Sequence, residues 1–198
     1  QAGQDPNKEH LPLAKVLIAG SMRLLGDNAF GWRLPSVLFG TAAVGLLYLL
    51  VRRLTRRPWL ALFAAFILGF DNLVFVHGRI ATLDIFMLLF MILGVYCYAA
   101  GRPVMAGGAF ALSTMSKFNG VFGLAAIVGF EVLRLALRPE YRPRLWRAMS
   151  DLLLMAGSSI IIFLAVLWPI DRLWAGFDNP VDHAAHVYNY GINLRREG

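Results

Sequence analysis

The sequence predicts an all-α integral membrane protein, a polytopic helical bundle, and three observations predict it. Of 198 residues, 58% are hydrophobic and only 16% charged, with a mean hydropathy of +0.60. Soluble domains carry about 25% charged and about 45–50% apolar residues, and disorder needs low hydrophobicity. The apolar residues gather into runs close to the ~20 residues that a bilayer-spanning helix needs. The basic residues crowd into a few short loops between those runs. In lipid such a chain needs no large core of its own, because its backbone is satisfied inside helices. The single cysteine, Cys97, excludes a disulfide scaffold.

Each element follows in chain order. Residues 1–10 are polar and read as a loop already in progress. The chain starts at Gln1 without a signal segment, so it is expected to be a piece of a longer protein. Pro12–Leu25 pairs apolar Leu13, Val16, Leu17 and Leu24 with polar Lys15 and Arg23, which predicts an interfacial helix, ended by Gly26-Asp27-Asn28. Leu34–Val51 is the first span, with Pro35 expected in its first turn, where a missing N–H costs nothing. Trp59–Phe70 runs on through Val76, broken only by Asp71-Asn72. Ile80–Ala100 is a span carrying Asp84 about one turn inside it. Val104–Leu137 is too long for one span and carries Ser116-Lys117-Phe118-Asn119-Gly120 at its middle. Leu152–Ile170 closes the series.

Arg52, Arg53, Arg56 and Arg57 mark one loop, Arg102 a second, and Arg134, Arg138, Arg142, Arg144 and Arg147 a third. The positive-inside rule puts such loops in the cytoplasm. All three share a side only if Val104–Leu137 turns back at Lys117. The expected bundle has about five spans plus the outer interfacial helix. Ten of the 19 basic residues and three of the 12 acidic ones (Glu131, Glu140, Asp151) then lie inside. The net charge of +7 and pI near 10.1 are thus mostly topological, and no nucleic-acid partner is implied.

The expected outer face gathers cations at helix starts: His10 and Lys15 around Pro12, Arg33 before Leu34, Arg79 before Ile80, and Lys117 before Asn119-Gly120. A cation there opposes the helix dipole, but becomes favourable when an anion binds between it and the free N–H groups. The arrangement points to a phosphate or pyrophosphate site; the plainer reading lets Lys15 and Arg33 snorkel to headgroups. Asp71 closes a helix at the pole that disfavours a carboxylate, so a partner such as His77 or Arg79 is expected. Asp84 within a span is costly and marks function or an interhelical contact. Arg79 and Asp84 are expected to reach different partners. His183 and His186 have helical spacing for a metal pair, but no further ligand stands out, and no metal or cofactor is implied. Nothing supports a serine or cysteine nucleophile.

Four motifs then carry a resemblance. His10-Leu11-Pro12-Leu13-Ala14-Lys15, Gly26-Asp27-Asn28 and Gly31-Trp32-Arg33-Leu34-Pro35-Ser36 resemble the first outer loop of protein O-mannosyltransferases. Asp71-Asn72, Arg79 and Leu83-Asp84 resemble the next block of that family, and Ser116-Lys117-Phe118-Asn119-Gly120 is similar to its Ser-Lys-Trp-x-Gly element. The resemblance runs in order over most of Glu9–Phe130 and loosely into Asn179–Tyr190. Lipid A aminoarabinose transferases share the architecture and similar Pro-Pro-Leu and Arg-Leu-Pro patterns.

The resemblance implies a C-type glycosyltransferase fold with its active site on the non-cytoplasmic side. It implies transfer of a sugar, mannose above all, from a polyprenyl phosphate to a hydroxyl of protein Ser/Thr, with inversion. His10, Arg33, Arg79 and Lys117 are then the candidates for the donor phosphate, supported by Lys15, Asp71, Asn72, Asp84 and Asn119. The expected base belongs to an Asp-Glu pair that would lie upstream of Gln1, since Asp5 is followed by Pro6; Leu11 stands where the family has a second proline. Residues 1–198 are expected to form part of one transmembrane glycosyltransferase domain: outer loop 1–33, membrane helices 34–170, and the start of an outer loop at 171–198, with His183, His186 and Tyr190 facing the site. The expected partners are the lipid-linked donor, a protein or lipid acceptor, and membrane lipids. Arginine-rich, lysine-poor usage is associated with bacteria, hence a bacterial plasma membrane with an outward-facing site. The alternatives are an aminoarabinose-transferase-like enzyme, and a lipid-carrier transporter built on broken helices.

Overall fold

The computed structural model describes residues 10–137, 139–175 and 179–197; it is helical throughout and, among those residues, holds no strand. Its first helix, α1 (Leu13–Leu25), buries Ala14 with Leu17 and Ile18 against Ile85 and Phe86. It ends at Gly26, whose φ of 90° lies in the left-handed region that glycine tolerates. Asn28 then caps α2 (Ala29–Thr55), accepting the Phe30 and Gly31 amides at 3.0 Å each.

This helix begins earlier than the sequence predicts, and Pro35 lies inside it and not in its first turn. A proline there strips the carbonyl four residues back of its hydrogen bond. That carbonyl belongs to Gly31, and the Ser21 hydroxyl of α1 donates to it at 2.5 Å. The connection between α1 and α2 thereby satisfies what Pro35 leaves open. Arg33 consequently sits within α2, one turn past its start.

The next apolar run is broken where the polar pair stands, into α3 (Pro58–Phe70) and α4 (Asn72–His77). A turn leads to α5 (Asp84–Ala99), followed by α6 (Pro103–Ser116). After the reversal at Lys117 come α7 (Val121–Leu137), α8 (Leu145–Ile170) and α9 (Pro180–Glu197). The segment expected as the start of an outer loop is therefore largely helical.

The centre of the bundle is α6, buried on nearly every side by α5, α7 and α8. Its small residues make that possible. A Cβ on Gly107 would overlap the Met155 carbonyl of α8, so glycine alone allows this approach. Phe110 is fully buried between Gly94 of α5 and Gly123 of α7, in a cluster with Cys97, Ile127 and Met155. The Ser113 hydroxyl ties α6 to α5 by donating to the Met87 carbonyl at 2.9 Å.

The turns α2–α3, α5–α6 and α7–α8 meet at one end, where Leu54, Gly101, Arg134 and Arg147 line one cavity. Arg53 Nε donates to the Ala99 carbonyl across that end at 3.2 Å. The opposite end gathers Leu11, Met115, Phe118, Leu167 and Val187. The reversal at Lys117 expected from the charges is thus present. Among the described residues six apolar helices, α2, α3, α5, α6, α7 and α8, run between the two ends, against about five expected; the apolar runs named from the sequence, with 104–137 split at Lys117, already come to six. Among the described residues three segments are long and apolar enough to cross a membrane by length and composition: Ala29–Thr55, Phe118–Leu137 and Leu145–Leu173. The chain is an integral membrane protein.

Candidate functional site

The site forms at the end opposite the arginine-rich turns. Lys117, with extended backbone (φ −154°, ψ 135°), stops α6 and starts the tight 3-10 turn Phe118–Gly120 that leads into α7. A Cβ on Gly120 would overlap the Ser113 and Thr114 backbone of α6, so the turn folds flat against that helix only with glycine there. This fixes the origin of the Lys117 side chain. Its ammonium donates to Asp84 Oδ1 at 2.6 Å, and His77 Nδ1 lies 3.8 Å from Asp84 Oδ2. All three side chains are a quarter to a third exposed, so the cluster is open to solutes.

Asp84 was expected a turn inside a span beginning at Ile80. The helix instead begins at Asp84, which places the carboxylate at the N-terminal pole, where the dipole favours it. Arg79 falls in the turn before α5 and lies over the Phe75 ring at 5.0 Å. Arg79 and Asp84 do reach different partners.

Asp71 was expected to pair with His77 or Arg79. It ends α3 and at the same time caps α4, accepting the Val74 amide at 2.9 Å. The disfavoured pole is answered by a backbone donor, which leaves His77 for Asp84. Asn72 is the exposed first residue of α4, and Asn119 is exposed in the tight turn.

Lys15, in the first turn of α1, donates to the His10 carbonyl at 2.6 Å, tying the two expected residues together. Leu11, next to His10, packs in one cluster with Met115, close to Lys117, and Phe118. Arg33 is exposed on α2 and stacks over Trp32 at 4.5 Å. Among the described residues neither Arg33 nor Arg79 makes an ion pair.

A feature the sequence reading missed joins α8 to α9. α8 runs into a wider π-type turn, Asp171–Ala175, and Asp171 meets His183 Nδ1 at 2.6 Å, both fully buried. α9 thereby lies over this end, with Val187 in the Leu11–Met115 cluster and Tyr188 beside the Phe118 ring, 6.1 Å between centroids. His183 is a buried anchor here, not a residue facing the site. The Tyr190 side chain lies outside the described residues. The available signal was a lone carboxylate directly after a long apolar run.

Chemically, this end presents the Lys117 ammonium, paired with one carboxylate, and the Arg33 and Arg79 guanidinia, which make no ion pair among the described residues. Each of these cations can donate charge-assisted hydrogen bonds to an anion with several oxygens, as a phosphate has.

Comparison with known proteins places the chain. Residues 9–168 match the family described as dolichyl-phosphate-mannose-protein mannosyltransferase. A polyprenol-phosphate-mannose–protein mannosyltransferase of Mycobacterium tuberculosis is 37% identical over 83 residues, 42% of this chain and 16% of that protein. The protein of the same name from Mycolicibacterium smegmatis is 32% identical over 93 residues, 47% of this chain and 18% of its own. The chain therefore spans less than a fifth of these relatives. The fold matches a chain of the S. cerevisiae protein O-mannosyltransferase Pmt1-Pmt2 complex bound to the sugar donor, with a TM-score of 0.72 at 21% identity, over 87% of this chain and 28% of that one. By sequence and by fold, the chain is a member of the dolichyl-phosphate-mannose-protein mannosyltransferase family.

Proposed function

We propose that this chain is the donor-binding part of a membrane mannosyltransferase that moves mannose from a polyprenyl phosphate to a protein hydroxyl. The observation that carries the reading is the cation set at one end of the bundle, two of whose guanidinia make no ion pair among the described residues. The leaving group of such a transfer is a lipid phosphate, and its developing charge is what catalysis must stabilise. Lys117, held by the Gly120 turn and oriented by Asp84, is suited to that task, with Arg79, Arg33 and His10 as further candidates at the same end. The acceptor hydroxyl needs a base within hydrogen-bond reach, and the family resemblance assigns that role to an Asp-Glu pair upstream of this segment. The positive-inside rule puts the arginine-rich turns in the cytoplasm and the site on the outer face of the plasma membrane. Residues 1–198 then belong to one transmembrane glycosyltransferase domain.

The test is transfer of mannose from polyprenyl-phosphate mannose by the full-length protein in membranes. Arg79→Ala is expected to lower transfer at least about tenfold, the size of one lost charged hydrogen bond, with unchanged membrane insertion. Unchanged turnover would remove Arg79 from the phosphate site. Absence of transfer by the unaltered protein would overturn the reading.

A further inference from the structure

The arginine-rich end holds a cavity of about 770 Å³ among α5, α7 and α8, remote from the site above. Four charged residues line it: Glu131 and Arg134 of α7, Arg147 and Asp151 of α8. Beside it runs a groove of about 390 Å³ lined by Leu133, Leu137 and Tyr141, and the two share Phe130 and Arg134. One compartment is charged and balanced in sign, the other apolar, and Arg134 stands at their junction.

Glu131 is 1% exposed, although ionisable groups buried in a membrane bundle are costly and mark function. Its Oε2 lies 2.6 Å from an Arg134 Nη, yet the pair is not aligned as a hydrogen bond. Arg134 Nε is buried without any partner, and the guanidinium is held over the Phe130 and Tyr141 rings at 5.9 and 5.0 Å. Glu131 and Arg134 stand three residues apart on α7, so the pair joins no two helices. Here one donor and one acceptor are left open on residues that line a cavity.

We propose that this pair of compartments binds a phospholipid with a primary-amine headgroup. Arg134 and Arg147 take the phosphate, Glu131 and Asp151 the ammonium, and an acyl chain lies along the Leu133–Leu137 groove. A purely anionic headgroup leaves the two carboxylates facing negative charge. A choline headgroup has no N–H to donate to them. The leaflet is the one at the arginine-rich turns. The inference does not rest on the transferase reading, and its readout is lipid retention, not transfer.

The experiment is native mass spectrometry of the full-length protein from nanodiscs of equal phosphatidylethanolamine, phosphatidylcholine and phosphatidylglycerol. The expected result is one retained phosphatidylethanolamine, enriched about tenfold over the other two and losing that enrichment in Arg134→Gln. Arg147→Gln and Asp151→Asn, on less buried side chains, are expected to weaken it likewise and serve if an α7 variant fails to insert. No enrichment, preference for phosphatidylglycerol, or enrichment indifferent to all three substitutions would each overturn the proposal.

Discussion

Replacing Gly94 by alanine probes the packing at the middle of the bundle. The added Cβ would lie 2.6, 2.7 and 2.8 Å from three atoms of the Phe110 ring, closer than real carbon contacts come. The ring is fully buried and also packs close to Gly123 of α7, where a Cβ would stand 2.9 Å from it. Overpacking a tight core costs about 1–3 kcal/mol. Phe110 is fully buried, so the upper end applies. Against this, alanine gains about 1 kcal/mol over glycine in helix propensity, leaving a net loss of about 2 kcal/mol. At this chain length that lowers the melting temperature by about 4–8 °C. Gly45 of α2 has nothing within 4 Å of its would-be Cβ, so Gly45→Ala keeps only the propensity gain and shifts the other way. The assay is thermal unfolding of detergent-solubilised protein by tryptophan fluorescence, at one fixed scan rate because membrane proteins unfold irreversibly. Adding Phe110→Leu to Gly94→Ala is expected to recover part of the loss, a coupling of about 1–2 kcal/mol. A Gly94→Ala protein melting at or above the unaltered one, or additive losses in the double variant, would refute the wedged-ring argument.

Three further outcomes are expected. Lys117→Met should raise the KM for the lipid-linked donor about tenfold or more, whereas Asp84→Asn, which frees the ammonium, should lower it; equal rises in both would make the pair merely structural. Asp171→Ala should loosen α9, since breaking a buried pair costs about 3–5 kcal/mol; maleimide labelling of a Val187→Cys reporter, buried at 4% exposure in the unaltered protein, should accelerate. Asn28→Ala should cost about 1 kcal/mol by uncapping α2, read as a melting shift with unaltered donor KM.

What the sequence disclosed is what local chemistry decides. Lys117 between two apolar runs is legible as a reversal, because Ser116, Lys117, Asn119 and Gly120 in hydrocarbon demand an exit, and the arginine distribution agrees with it. Asn28 and Gly26 announce a helix end. The start of α2 was misplaced because Pro35 inside a helix is tolerable only through Ser21, a residue on another helix. Asp84 moved from inside a span to the head of α5 for a similar reason: the turn of Arg79 and Ile80 is set by α4 folding back, which periodicity does not encode. The Asp171–His183 pair spans 12 residues and a π-type turn, so no spacing rule reaches it. At the site, the chemical types were readable one by one, but which carboxylate meets which base was a matter of tertiary geometry.

The unequal lengths of the helices have a consequence for the surrounding lipid. α3, α5 and α6 have 13, 16 and 14 residues, or about 20–24 Å at 1.5 Å per residue, against a hydrocarbon layer about 30 Å thick. α6 is enclosed by its neighbours, so α3 and α5 present the short length to lipid, and thinning of the bilayer is one way in which such a mismatch is met. In a bilayer thinned there, the head of α5 and the foot of α6, where Asp84 and Lys117 meet, would lie at the bottom of a dimple instead of on a level surface. A molecule moored in the leaflet by its own hydrocarbon tail reaches that pair by sliding sideways, without lifting its head into water.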